Sequence, residues 1–285
     1  MGSAERDPGS PTGSEVDRVR FEHDERGGVT VLVDGTPQSH VQPDDPELLV
    51  FEYVQHLALV IGALRPEPPA PLGVTHVGGA GLTLPRWVEA TRPGSTQIVL
   101  EPDVALTELV RRELPLPRRH RIRVRPVDGA TGVRALADAS ADVVVVDAYT
   151  EGRVPPELTT VTFLADVRRV LRPDGVVLLN IADEPARRYL ARVLASVTAA
   201  GYADRLVVST VDVQRGRRFG NSVLAAGVRR LDVAAVRRGV SRVPFPTGVR
   251  HGAEVERLTA GARPLSEEDA MSSPTPPEPG TWYRP

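Results

Sequence analysis

Residues 73–86, GVTHVGGAGLTLPR, decide the fold of this chain. A short β-branched run comes first, the small residues Gly78, Gly79, Ala80 and Gly81 follow, and an apolar segment with helical spacing comes last. This order predicts a buried strand that turns tightly into a helix beside a nucleotide-like ligand. Glycine lets the backbone approach such a ligand closely, and the start of the helix offers free N–H groups. Because glycines after strands often only make turns, the interpretation needs support from the rest of the chain.

Carboxylates follow the later predicted strands in the same way. A second strand, residues 97–100, ends at Glu101, where a carboxylate can accept hydrogen bonds from both ribose hydroxyls. A third strand is followed by Asp128 and Gly129, which we place at an adenine edge, and a fourth ends at Asp147. Since ligands bind at the carboxyl ends of strands in open α/β sheets, these positions predict one adenosine-sized site.

The composition excludes several kinds of chemistry. The 285 residues include 35 basic and 37 acidic side chains, and this near balance favours neither nucleic acid nor an anionic membrane as a partner. There is no cysteine, so disulfides, thiolate nucleophiles and cysteine-bound metals are excluded, and because every basic residue is arginine, a lysine Schiff base is excluded too. No run reaches the roughly 18 apolar residues of a membrane span, and the amino terminus lacks a signal pattern. We therefore expect a cytoplasmic protein.

The sequence pattern divides the chain into five parts. Residues 1–15 are rich in Gly, Ser, Pro and charge and are expected to be a disordered tail. Residues 16–71 hold a β-hairpin pattern, a helix and a proline-rich linker, which we interpret as a small N-terminal lobe. Residues 72–227 alternate strands with amphipathic helices, which predicts a parallel sheet, closed at its end by an antiparallel hairpin. Residues 228–263 are predicted to be C-terminal helices and residues 264–285 a second disordered tail.

From about residue 29 to residue 226 the chain resembles the spermidine synthase family of aminopropyltransferases. The resemblance rests on VDGTPQS at residues 33–39, FEYVQH at 51–56, the glycine loop, Glu101 with Asp103, Asp128 with Gly129, and LRPDGV at 171–176. It implies an α/β, Rossmann-like class I methyltransferase fold, in which a mostly parallel seven-stranded sheet ends in an antiparallel hairpin. It also implies that decarboxylated S-adenosylmethionine or S-adenosylmethionine is bound, that no metal is needed, and that the chain forms a homodimer.

The resemblance assigns roles to individual residues. Asp147 would be the base that accepts the proton of an attacking amine. Gln38 and Tyr149 would close the site, and Tyr149, Glu151 and His56 are candidates for contact with the substrate. His56 lies on the apolar face of a predicted helix, so a packing role is its first interpretation. The cofactor would be bound by Gln38, Gly78, Gly79, Gly81, Glu101, Asp128 and Gly129.

Two departures from the family concern substrate amines. Gly81 occupies the position of the family's loop aspartate, and Thr150 replaces the second acid of its Asp-Ser-Ser-Asp segment. Losing two ion pairs of about 1–3 kcal/mol each would weaken polyamine binding about a hundredfold or more. Glu151, Asp183 and Glu184 are candidates to compensate. Without an acid at Gly81, selection against the carboxylate of S-adenosylmethionine is also relaxed.

Three functions therefore stay open. Aminopropyl transfer to a polyamine or another small amine, with altered specificity, is the favoured one. Methyl transfer from S-adenosylmethionine to an unidentified acceptor is the second. A non-catalytic protein that binds a nucleoside is the third.

Overall fold

The computed structural model describes residues 18–277. The disordered tail that we expected over residues 1–15 lies outside the described residues. The chain begins with a small antiparallel sheet of β1 (Val19–His23), β2 (Val29–Val33) and β3 (Thr36–Val41). Its second turn is Asp34-Gly35, with both residues at positive φ, as a two-residue hairpin turn requires. The predicted hairpin is present, and a third strand, which Pro37 made hard to predict, extends it.

Over residues 18–277, eight strands form the main sheet, one more than predicted. They are β4 (Gly73–Val77), β5 (Thr96–Leu100), β6 (Ile122–Arg125), β7 (Ala141–Val146), β8 (Leu171–Asp183), β9 (Asp204–Thr210), β10 (Gly220–Gly227) and β11 (Thr247–His251). Their spatial order is β11-β9-β10-β8-β7-β4-β5-β6. Strands β4 to β8 run parallel, and β10 lies antiparallel between β8 and β9, as the predicted closing hairpin requires. The additional strand β11 pairs with β9 at the edge, so residues 228–263 are not all helical as predicted. Its short sequence, TGVRH, lacks the apolar alternation of a recognisable strand.

Helices cover both faces of this sheet. They are α1 (Glu52–Gly62), α2 (Thr83–Thr91), α3 (Val104–Glu113), α4 (Gly129–Arg134), α5 (Val161–Val170), α6 (Arg188–Ala199), α7 (Val211–Gln214), α8 (Val233–Val240) and α9 (Ala253–Thr259), with a 3₁₀ helix at Pro156–Thr159. Within residues 18–277, none of the helices is long and apolar enough to cross a membrane.

The run of valines in β7 explains why helices must cover both faces of the main sheet. Val144 and Val146 pack in one apolar cluster with α5 and α6, whereas Val143 and Val145 pack in another with α1, α2 and α8. All four valines are buried, because successive side chains of a strand point to opposite faces. A strand that is apolar on both faces is typical of the centre of a parallel sheet.

Helix α1 therefore packs on the main sheet and not within the small lobe in which we had placed residues 16–71. Its end and the proline-rich linker after it are held by Arg92, a fully buried side chain. Arg92 donates hydrogen bonds of 2.7–3.1 Å to the backbone carbonyls of four residues, which are Ile61, Leu64, Pro66 and Ala70.

The described part of the predicted C-terminal tail is also packed. Leu265 is fully buried, its carbonyl accepts a hydrogen bond from the N–H of Val161 at 2.9 Å, and its own N–H donates to Ser196 Oγ at 2.8 Å. Further on, Ser273 is also fully buried and bonds to the loop after β7. Disorder was expected from the polar, proline-rich composition, but over residues 264–277 a few buried side chains anchor the segment.

Candidate active site

A cavity of about 770 Å³ opens at the carboxyl ends of the parallel strands. Its wall includes nine of the predicted site residues, which are Gln38, Gly78, Gly79, Glu101, Asp128, Gly129, Asp147, Tyr149 and Glu151. They come from the small sheet and from the segments that follow β4, β5, β6 and β7. The convergence of separate strand ends, inferred from sequence, is therefore present. Gly81 and His56 are the two predicted residues that do not line the cavity.

The glycine loop lies against the end of β7. Gly78 has a φ of +94°, and a Cβ there would lie 2.2 Å from the carbonyl oxygen of Asp147. A side chain at residue 78 would therefore push the loop away from Asp147. At Gly79 a Cβ would lie 2.9 Å from Val99 Cγ1. These contacts bring the backbone of the glycine loop to the cavity wall, directly beside Asp147.

Glu101 is held by the backbone around it. Its Oε2 accepts a hydrogen bond from the N–H of Gly79 at 2.9 Å, and its Oε1 accepts from the N–H of Asp103 at 3.0 Å. The carboxylate is therefore fixed in direction where it lines the cavity. An acceptor with two oxygens so oriented is suited to the paired hydroxyls of a ribose.

Asp128 and Gly129 lie where β6 leads into α4. Asp128 caps this helix, because its Oδ1 accepts a hydrogen bond from the N–H of Thr131 at 2.8 Å, and this bond lowers the pKa of its carboxyl group. A Cβ at Gly129 would lie 2.3 Å from Val77 Cγ1, so glycine allows α4 to begin directly against β4. Asp128 and Gly129 both line the cavity.

Asp147 belongs to a network of hydrogen bonds on the cavity floor. Its Oδ1 accepts from Asn180 Nδ2 at 2.9 Å, and Asn180 Oδ1 in turn accepts from Asn221 Nδ2 at 2.9 Å. The hydroxyl of Tyr149 donates to the carbonyl of Asn180 at 3.1 Å and lies 3.3 Å from Asn221 Nδ2. Burial raises the pKa of Asp147 to about 6, and the bond from Asn180 opposes part of that rise. A carboxyl group of this kind is ionised at neutral pH but more basic than one in water, which suits a proton acceptor.

Sequence analysis missed Asn180 and Asn221. Asn180 is only 2% exposed and stands in the apolar run of β8, while Asn221 lies near the start of the antiparallel strand β10. A lone amide inside an otherwise apolar strand was the available signal, because buried polar groups need partners. The identity of those partners depends on strand pairing that the sequence alone does not define.

Gly81 faces the small sheet instead of the cavity. Its N–H donates to Ser39 Oγ at 2.9 Å, and a Cβ at residue 81 would lie 2.8 Å from Ser39 Cβ and 3.2 Å from Val31 Cγ2. Gly81, which we predicted to bind the cofactor, therefore does not line the cavity. The reason is that the small sheet docks on this side of the loop and leaves no space for a larger side chain.

His56 packs in the core against Phe245 and Thr247, as its first interpretation held. It is 1% exposed, its Nε2 lies 3.0 Å from Thr247 Oγ1, and its ring meets Phe245 edge to face. Burial lowers the pKa of its imidazole to about 4, so the ring is neutral at physiological pH. Its candidacy for contact with the substrate was wrong, because the apolar face of α1 points into the core.

The charge of the cavity wall is strongly one-sided. Among the described residues, Arg18 is the one arginine that lines it, and Arg18 forms an ion pair with Asp103. No group of three or more metal-ligating side chains was found within residues 18–277. The carboxyl groups in the wall are those of Asp34, Glu101, Asp103, Asp128, Asp147, Glu151 and Glu157.

The loop after β7 and the C-terminal segment form another part of the wall. Thr150, which the sequence places where the family has an acid, is exposed and pairs with Arg153 in a short bridge. Ser273 accepts hydrogen bonds from Arg153 Nε at 2.7 Å and from the N–H of Val154 at 2.9 Å. The neighbouring residues Thr275 and Pro276 line the cavity, so a segment expected to be disordered contributes to the site.

Curated relatives match part of the chain. No model of a known protein family matches it. A polyamine aminopropyltransferase of Neisseria meningitidis is 25% identical over 162 residues, which are 56% of this chain and 60% of that protein. An eEF1A lysine and N-terminal methyltransferase of Bos taurus is 28% identical over 160 residues, which are 51% of this chain and 23% of that protein. The chain thus spans less than two thirds of the length of these relatives.

Solved structures match a larger part of the chain than the curated relatives do. A probable spermidine synthase from Corynebacterium glutamicum superposes with a TM-score of 0.81 at 25% identity, over 87% of this chain and 92% of that one. Human methyltransferase-like protein 13, solved with SAH, superposes with a TM-score of 0.53 at 21% identity, over 76% and 96% of the two chains. These similarities confirm the predicted resemblance and the predicted α/β, class I methyltransferase fold.

Proposed function

We propose that this chain, which is similar to spermidine synthases and has the class I methyltransferase fold, transfers an aminopropyl group from decarboxylated S-adenosylmethionine to a small amine. A spermidine synthase of the same fold was solved with the transition-state analogue AdoDATO, and it superposes with a TM-score of 0.56 at 17% identity, over 89% of this chain and 82% of that one. The fold alone does not choose between aminopropyl and methyl transfer, because proteins of both kinds are similar to this chain.

The charge of the cavity wall is the observation that carries the proposal. Decarboxylated S-adenosylmethionine has a sulfonium and an ammonium group and no carboxylate. Among the described residues, the wall has seven carboxyl groups and one arginine, itself paired with Asp103, and such a wall attracts this ligand and an amine acceptor. The carboxylate of ordinary S-adenosylmethionine would enter the same field and be repelled.

In the proposed reaction the lone pair of the amine attacks the methylene carbon next to the sulfonium. The carbon–sulfur bond breaks, its electron pair stays on sulfur, and neutral methylthioadenosine leaves. The nitrogen then loses a proton, which Asp147 accepts on the oxygen that Asn180 does not contact. Glu101 holds the ribose, Asp128 and Gly129 meet the adenine, and Gln38 closes the cavity from the small sheet. The barrier is lowered by alignment and by the proton acceptor, with no step that needs a metal.

The residues near Thr150, where the amine acceptor would bind in this proposal, support an altered specificity for polyamines. Thr150 offers no charge to an ammonium group, while Glu151 and Glu157 line the cavity nearby and take over that role in the proposal. Asp183, another candidate to compensate, is not in the wall, since its oxygens accept from the N–H groups of Glu184 and Leu190. We therefore propose a small-molecule amine as the acceptor and expect weaker polyamine binding than two further acids would give.

Methyl transfer from S-adenosylmethionine is the second candidate. The loop from Gly78 to Gly81 carries no carboxylate to repel a methionine carboxylate, and a methyltransferase is among the curated relatives. This candidate predicts S-adenosylhomocysteine as product.

Titration calorimetry separates the two candidates. The purified chain is titrated with decarboxylated S-adenosylmethionine, S-adenosylmethionine and methylthioadenosine, and we expect the decarboxylated form to bind at least about tenfold more tightly than S-adenosylmethionine. Equal or tighter binding of S-adenosylmethionine would favour methyl transfer, and no binding of any of the three would leave the family's fold without the family's chemistry.

Turnover is tested with a panel of diamines and polyamines. We expect Asp147→Asn to abolish methylthioadenosine release while the nucleoside still binds. The matched control is Asp174→Asn, because Asp174 is an exposed acid that pairs with Arg229 away from the cavity. Sedimentation tests the homodimer that we also propose.

A further inference from the structure

The two asparagines missed by sequence analysis form a directed chain of donors that ends at Asp147. Asn221 Nδ2 lies within hydrogen-bond distance of Asn180 Oδ1 and of the Tyr149 hydroxyl. Since that hydroxyl donates its proton to the carbonyl of Asn180, its oxygen is left as an acceptor for Asn221. Both hydrogens of the Asn221 amide are thus used, and its nitrogen must face Asn180.

The orientation of the Asn180 amide follows from that of the Asn221 amide. Because Asn180 Oδ1 accepts from Asn221, Asn180 Nδ2 must point the other way, toward Asp147 Oδ1. If the amide of Asn180 turned by 180°, an oxygen would face the carboxylate and a nitrogen would face the donor of Asn221. Both contacts would then be repulsive.

We propose that Asn221 is a positioning residue, which holds the amide of Asn180 in the orientation that donates to Asp147 and so reserves the other carboxylate oxygen for the amine proton. The inference rests on the proposed function for its chemical consequence, but the orientation of the amide can be measured in the free protein. Asn221 reaches Asp147 only through Asn180 in this chain of hydrogen bonds.

The variants leave the other titratable side chains near Asp147 in place. The other titratable side chains that line the cavity with it are Arg18, Asp34, Tyr53, His76, Glu101, Asp103, Asp128, Tyr149, Glu151 and Glu157. His76 of the neighbouring strand is buried and bonded to Gln97, and burial lowers its pKa to about 4, so it stays neutral. A change in the titration of Asp147 on substitution of Asn221 is therefore assigned to the amide chain or to the charge that the substitution adds.

The test is an NMR titration of Asp147 in protein labelled with ¹³C at the aspartate carboxyl groups, with Asp147→Asn used for assignment. Asn221→Asp keeps the shape of the side chain, and its ionised carboxylate can only accept, so above the pKa of the new carboxyl Asn180 must turn its amide and present an oxygen to Asp147. We expect the pKa of Asp147 to rise by at least about 1 unit, through loss of a hydrogen bond to the charged form.

The same substitution made in an Asn180→Leu background measures the effect of the added charge alone. We expect the shift caused by Asn221→Asp to fall there to less than about half. An equal shift in both backgrounds would show that Asn221 acts only through its charge and would overturn the inference. Thermal unfolding checks that the variants fold, and Asn180→Ser replaces Asn180→Leu if the latter does not.

Turnover gives a second, separate readout. In Asn221→Asp we expect the acid limb of the pH profile of kcat to move up with the pKa of Asp147, while KM for the nucleoside stays within about twofold. If the wild-type chain turns over no amine, the proposed function fails, whereas the titration still decides whether Asn221 orients Asn180.

Discussion

Gly81 donates its backbone N–H to Ser39 Oγ at 2.9 Å, and this bond joins the small N-terminal sheet to the loop at the centre of the site. By comparison with the family's motif, residue 81 has lost an acid. In the structure, however, Gly81 forms a contact between the small sheet and the glycine loop. An aspartate at residue 81 would meet Ser39 and Val31 before it reached the cavity.

We predict that Gly81→Ala lowers the free energy of unfolding by about 1–3 kcal/mol, because the new Cβ overpacks this contact. Gly81→Asp should destabilise the chain at least as much, without a gain in amine affinity. Urea unfolding measures the first effect and calorimetry with diamines the second. Gly62→Ala is the matched control, since nothing lies within 4 Å of a Cβ there. Tighter amine binding in Gly81→Asp would show that the loop can turn residue 81 toward the cavity.

The raised pKa of Asp147 predicts a dependence of stability on pH. The folded chain holds this carboxyl at a pKa of about 6, above its ordinary value of 3.8, because burial disfavours the charged form. The folded state therefore binds more protons between these values, and the stability that the neutral carboxyl contributes is present below about pH 4 and lost as the pH rises through 6.

Asp147→Asn should accordingly stabilise the chain by about 1–3 kcal/mol at pH 7.5 and by close to nothing at pH 4, while it abolishes turnover. Urea unfolding of both proteins at the two pH values measures the difference. Asp183, whose pKa burial also raises to about 6, is present in both proteins, so its effect cancels. The same stability difference at both pH values would mean that Asp147 is not desolvated.

Local patterns sufficed to predict most of the site. The loop from Gly78, together with Glu101, Asp128 and Asp147, follows strand ends, and parallel strands place those ends at one edge whatever the details of packing. The sequence could not show the direction in which Gly81 faces, because that depends on where the small sheet docks. It also could not show the pairing of Asn180 with Asn221, which requires the register of two antiparallel strands 41 residues apart.

Dependence on distant parts of the chain also explains why the structure of the C-terminal region was predicted wrongly. Ser273 lies in a polar, proline-rich stretch whose composition is typical of disorder, yet its side chain is buried against a loop 119 residues earlier. Strand β11 forms because the edge of β9 is open to pairing, and its own pattern is too weak to predict a strand. Contacts over long sequence distances decided both outcomes.

Arg92 allows a prediction about stability away from the site. It is fully buried and donates to four backbone carbonyls, so Arg92→Lys would keep the charge but satisfy fewer of the acceptors. We expect a loss of about 2–4 kcal/mol in the free energy of unfolding, measured by urea denaturation. Arg229→Lys, at an exposed ion pair with Asp174, should change it by less than about 0.5 kcal/mol. A small effect at Arg92 would mean that the carbonyls find water instead.

The contact between Ser273 and Val154 predicts how the C-terminal segment supports the cavity wall. Ser273→Ala leaves the N–H of Val154 without its 2.9 Å side-chain acceptor, and we expect the loop of residues 150–157 to open more often, by about tenfold for a lost bond of about 1–1.5 kcal/mol. Limited tryptic cleavage after Arg153 should become faster in proportion and be slowed again by saturating methylthioadenosine. Ser241→Ala, which removes an exposed hydroxyl at the end of α8, should leave this rate unchanged. If Ser273→Ala and Ser241→Ala were cleaved at the same rate, the C-terminal segment would lie against the loop without restraining it.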